Sequence, residues 1–165
     1  MLAASDRQIL EACGHLNEVG SMIVGARALV LASLQEAVTR TKVDPDDANF
    51  TNYLSLKLGG RPHEELHAIF VDHAGGFIAE ELISIGGTGR VDAKVSVIIR
   101  RSIELAASGF YLVHNHPSKC PNPSPDDVRA TRQISSVARA LEIDLIDHFV
   151  IAGRRVVSMR GLDLL

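Results

Sequence analysis

Cysteine is scarce. Cys13 and Cys120 are the only two in 165 residues, too few for a disulfide scaffold and suited to a reducing cytoplasm. An excess of basic charge is missing as well. The 17 Lys and Arg against 20 Asp and Glu leave a net charge of −3, without the basic footprint that nucleic acid selects. The pairs Arg100-Arg101 and Arg154-Arg155 read as solvated surface. No opening segment joins a basic start, an apolar run and a small-residue cleavage site, so export is not expected. The longest apolar candidate, residues 21–34, is interrupted by Gly25 and Arg27 and is too short to span a bilayer, so no membrane is expected. Repeats and low-complexity tracts are absent. With 46% hydrophobic and 22% charged residues, the chain suits one compact domain with at most a small appendage.

Two regions differ in period. Residues 1–45 read as a helical N-terminal extension: Ile9, Leu10, Cys13 and Leu16 recur at helical spacing, and Glu36 and Arg40 form an i,i+4 pair. Gly20 and Gly25 predict a turn between two helices. Residues 42–47 read as a break, with an aspartate capping a helix over about 46–58. From residue 64 the pattern becomes that of alternating strands and helices. Strands are expected at 65–72 and 77–85, joined by the turn His73-Ala74-Gly75-Gly76, and a loop at Gly86-Gly87-Thr88-Gly89. A buried helix follows over 95–107, then a strand from Gly109, a helix over about 125–141, and strands at 143–152 and 156–159. The fold class is α/β, a mixed β-sheet flanked by helices.

The chemistry concentrates in residues 114–127. Residues two apart on a strand share a face, so His114 and His116 can converge on one metal while Asn115 points away. Imidazole suits zinc, and a catalytic zinc needs a third protein ligand with a fourth position left for water. Asp127 is placed to supply it. Ser124 and Pro125 would open a helix as cap and first helical residue, setting Asp127 in the first turn facing back toward the strand. Three prolines stiffen the loop between. Zinc lowers the pKa of a bound water to about 7. A carboxylate is then wanted to shuttle the proton, and a donor such as Ser124 to stabilise the oxyanion.

The spacing His-x-His, seven residues, Ser, two residues, Asp, at His114, His116, Ser124 and Asp127, resembles the JAMM (MPN+) metalloprotease signature without a gap. The fuller string, His-Asn-His-Pro-Ser with the later Asp147-His148, resembles the RadC branch of bacterial JAB-domain proteins over residues 46–165. The run from Glu64 to Asp72 and the pair Gly87-Thr88 share in the likeness. The resemblance implies a cytidine deaminase-like fold and a zinc hydrolase in which an early glutamate is the acid/base. That glutamate is Glu64, with Glu65 one residue away as its rival. Lys119 stands where the family usually has glycine. The N-terminal helices lack the hairpin of a helix-hairpin-helix module, so DNA binding is not carried over.

Blander readings stand beside these. Ser124 and Asp127 also match an ordinary capping box. Cys120 is a loop residue, or else a fourth ligand, an inhibitory switch or a redox-sensitive thiol; Asp126 is a first-turn carboxylate, and Asp147-His148 either support for a ligand or a core pair. A zinc deaminase would need His-x-Glu and Pro-Cys-x-x-Cys, and neither is present. The contiguous His-Asn-His is unlike the scattered residues of the HNH nucleases. The expected function is zinc-dependent amide hydrolysis, peptidase or isopeptidase, on a peptide or protein substrate, with one zinc per chain. A repair-associated accessory protein and a non-catalytic metal-binding module are the alternatives. Pairing of the N-terminal helices into a homodimer is left open.

Overall fold

The computed structural model describes residues 4–86 and 95–165. The Gly87-Thr88 pair and most of its loop lie outside them. Among the described residues five α-helices and five strands follow in the order α1 (Asp6–Cys13), α2 (Asn17–Thr39), α3 (Ala48–Leu58), β1 (Glu65–Val71), β2 (Phe77–Ile85), α4 (Val95–Glu104), β3 (Gly109–Asn115), α5 (Pro125–Arg139), β4 (Asp144–Ala152) and β5 (Arg155–Ser158), and a 3-10 turn comes after them at Arg160–Leu162. The strands form one mixed sheet in the order β2-β1-β3-β4-β5. Only the β3–β4 pair is parallel, and α5 makes its crossover. The fold is therefore the expected α/β class.

Strand alternation splits the core in two. Leu66, Ala68, Phe70, Phe110 and Leu112 face α4 and α5, meeting Ile98, Ile134 and Ala138. Ile69, Val71, Tyr111, Val113, Phe149 and Ile151 face α3, meeting Phe50, Tyr53, Leu54 and Leu58. The second layer also holds a charged knot. Glu80 is ion-paired with Lys57 Nζ at 2.7 Å and His67 Nδ1 at 3.2 Å, and accepts from the Tyr53 hydroxyl. Beyond it, His67 Nε2 lies 3.2 Å from Glu65 Oε2.

The N-terminal helices differ from expectation. Gly20 and Gly25 do not break the chain: α2 runs through both, and the turn comes earlier, at Gly14 with φ of 53°. At Gly20 a Cβ would lie 3.0 Å from Leu10 Cδ2 and 3.3 Å from Cys13 Cβ. That glycine allows α1 and α2 to pack closely, which local punctuation rules cannot reveal. By length and composition alone, the unbroken α2 is long and apolar enough to cross a membrane. Arg27 in its middle binds Asp6 of α1 and the Leu56 carbonyl of α3, which ties α2 to both neighbouring helices.

Candidate metal centre

β3 carries His114 to the end of the sheet, on the face that meets α5. Its even-numbered neighbours Phe110 and Leu112 lie in the same core layer. His116 follows just past the strand, its amide donating to the Ile151 carbonyl at 2.7 Å. Ser124 caps α5, accepting from the Asp127 amide at 3.2 Å, while its own amide and hydroxyl donate to Asp127 Oδ2 at 2.7 and 2.6 Å. This is the reciprocal capping box. It leaves Asp127 facing the histidines, with Oδ1 3.6 Å from His114 Nε2 and Oδ2 3.4 Å from His116 Nε2. The two Nε2 atoms are 2.9 Å apart. All three donors lie within 4.8 Å of one another, a group able to hold a metal ion.

Hydrogen bonding assigns the tautomers, and they leave this cluster without its own protons. His116 Nδ1 lies 2.8 Å from the Cys120 carbonyl, which only accepts, so Nδ1 carries the proton. For His114 the assignment passes through two further residues. The Thr131 hydroxyl donates to the Asp127 carbonyl at 2.6 Å and must therefore accept from His148 Nδ1 at 2.7 Å. His148 is fully buried and its pKa is held well below the ordinary histidine value by desolvation and by His114, so it is neutral. Its Nε2 then accepts from His114 Nδ1 at 2.7 Å. Both facing Nε2 atoms are left with lone pairs. Two imidazole lone pairs and a carboxylate converging on one point fit a cation.

Asp127 pulls a proton toward the facing nitrogens, and a cation at that point would take the proton's place. Burial lowers the His114 pKa against the pull of Asp127. His116 is raised, chiefly by its bond with Asp127. Burial would raise Asp127, but its bonds with His114 and His116 outweigh that and hold it far below the carboxylate range.

Alternation separates the two candidate glutamates. Glu64 shares the face of Leu66, whose register partner is His114. Its residue is 4% exposed, and its Oε2 has no hydrogen-bond partner among the described residues. Burial raises its pKa, with His116 lowering it and Asp127 raising it further, so its carboxyl feels the cluster directly. Glu65 points to the opposite face, toward His67 and Arg61. Between the two histidines, Asn115 points away from the donors, and it has its own task. Its Oδ1 accepts from the Glu65 amide at 2.9 Å and its Nδ2 donates to the His63 carbonyl at 3.0 Å. It thus grips the backbone on both sides of Glu64. Sequence reasoning missed this clamp and Thr131, although Thr131 lies four residues after Asp127 and so on the same helical face. Asp147 accepts from the His148 and Arg160 amides and the Ser158 hydroxyl, fixing the backbone around His148.

A mixed sheet carrying a His-x-His pair at a strand end and an aspartate in the next helix defines a JAB-type domain. A family model described as the RadC-like JAB domain matches residues 45–164, and the chain belongs to that family. It is 34% identical over 137 residues to a UPF0758 protein of Roseiflexus sp. (strain RS-1), covering 83% of this chain and 57% of the relative. A UPF0758 protein of Rhodobacter capsulatus is 34% identical over 169 residues, 100% of this chain and 77% of its own. For one from Polaromonas sp. the identity is 35% over 114 residues, 69% of this chain and 51% of the relative. The chain thus spans little more than half the length of several curated relatives.

Proposed function

We propose that the chain is a zinc-dependent hydrolase of amide bonds, a peptidase or isopeptidase acting on peptide or protein substrates in a reducing cytoplasm. The observation that carries this is Glu64: a buried carboxyl with an oxygen unpartnered among the described residues, whose charge feels a three-donor cluster. Burying a carboxyl with a free oxygen is costly and of no use to the core. Beside an attacking water it supplies a base.

His114, His116 and Asp127 would hold the zinc, which when bound lowers the pKa of water to about 7. Glu64, its pKa raised by burial, accepts the proton from the attacking water and returns it to the departing amine nitrogen. Ser124 has a single hydroxyl proton, which it gives to Asp127 Oδ2. In catalysis the hydroxyl turns from that oxygen toward the oxyanion forming on the substrate carbonyl.

The test is Glu64→Gln against the parent protein on a mixture of peptides, with metal content measured in parallel. The substitution should keep the metal and abolish new amine termini. Unchanged turnover would remove Glu64 from the mechanism. No cleavage by either protein would favour a metal-binding module without catalysis.

A further inference from the structure

Beside the metal loop lies a second feature that the hydrolytic reading does not use, a cleft of about 850 Å³. Its walls include Arg61, Lys119, Arg154 and Arg155, with Ser5 and Gln8 of the N-terminal extension, and among the described residues no acidic one lines it. Arg61 shares some of its charge with Glu65 at 3.7 Å. Among the described residues Lys119, Arg154 and Arg155 form no ion pair. Four like charges gathered around one cleft of a chain with net charge −3 repel one another unless an anion enters. Arg61 is three residues before Glu64, and Lys119 three after His116, so the cleft adjoins the metal centre on two sides.

Lys119 sharpens the point. Its φ of 61° lies in the left-handed region that favours glycine. A non-glycine residue held there is strained, and such strain is concentrated at functional positions. The geometry is secured from outside, since Arg155 Nη2 donates to the Lys119 carbonyl at 2.6 Å and the Lys119 amide donates to the His116 carbonyl at 3.0 Å. The floor is glycine-lined. A Cβ on Gly59 would lie 2.0 Å from the Gly153 carbonyl oxygen, so the two segments meet with no side chain between them.

We infer that this cleft binds the acidic side chains of an extended peptide segment of the substrate and that Lys119 and Arg154 select for them. The inference rests on the hydrolase reading for what the bound peptide is there to do. A peptide suits the cleft better than a nucleic acid does. No aromatic residue among the lining offers a base a stacking platform.

The experiment uses the full chain, zinc-loaded and carrying Glu64→Gln so that turnover does not consume the probe. Fluorescence anisotropy compares a labelled peptide of alternating Glu and Gly, its Gln counterpart, and a single-stranded DNA of equal charge. The acidic peptide should bind, weaken as salt shortens the range of the attraction, and lose about tenfold in affinity in Lys119→Gly and in Arg154→Gln. The Gln peptide should not bind. Lys119→Gly relieves the left-handed strain, so its Tm should be no lower than that of the parent and misfolding cannot account for lost binding. Equal affinity in both variants, or no binding of the acidic peptide, would overturn the inference. Tighter binding of DNA that is lost in the same variants would overturn the choice of peptide. Binding by the acidic peptide together with no hydrolysis by the Glu64 protein would leave the cleft standing and remove the hydrolase.

Discussion

His114 can offer a lone pair to a cation only while its proton stays on Nδ1, and His148 is what keeps it there. The order runs from the Asp127 carbonyl through Thr131 and His148 to His114, each group taking the one role the previous group leaves it. Residues behind a metal ligand commonly contribute about 10–100-fold to metal affinity. His148→Ala and Thr131→Val should each weaken zinc binding by about that factor in a chelator competition assay, with the three direct ligands untouched. An unchanged zinc affinity in both would mean that the histidine pair is only a satisfied core contact. Asp147 and His148 were legible in the sequence as a pair; their roles were not, because only the fold brings Thr131 and His114 to opposite sides of one ring.

At the scale of elements, the site depends on how β3 is read by its neighbour β1. Strand alternation alone puts Glu64 and Glu65 on opposite faces, but it does not say which face meets the His114, His116 and Asp127 cluster. The register Leu66 to His114 decides it, and register between strands nearly fifty residues apart is not written in local periodicity. The capping box at Ser124 was legible, because a helix start is local. The glycines of α2 misled for the complementary reason: Gly20 serves a contact with α1, not a turn. Asn115 joins the two elements. Asn115→Ala strips the Glu65 amide of its acceptor, for which a loss of about 1–3 kcal/mol is expected in urea unfolding. The same substitution should lower hydrolysis while leaving zinc content near that of the parent, since the clamp holds Glu64 and touches no ligand. Loss of zinc along with activity would show that β3 itself had shifted.

For the molecule as a whole, the charged knot around Glu80 ties α3 to the sheet on the face away from the three-donor cluster. Burial would raise the Glu80 pKa, but bonds from His67, Lys57 and Tyr53 lower it to about 2. A carboxylate depressed in the folded state stabilises the fold above its ordinary value of 4.5, and that contribution is lost as pH falls toward 2. The size is about 3 kcal/mol at neutral pH. Urea midpoints should therefore drop between about pH 4.5 and 2 in the parent. In Glu80→Gln the slope should be shallower over the same window and the neutral-pH stability lower, because Lys57 loses its buried partner. Identical slopes would remove Glu80 from the acid transition.

The central claim is that His114, His116 and Asp127 hold a single zinc on which the rest of the chemistry depends. Elemental analysis of the protein purified without chelator tests it most directly. Close to one zinc per chain is predicted, falling to near zero in His114→Ala combined with His116→Ala. A folded parent protein that carries no zinc and takes none up when it is supplied would contradict the account.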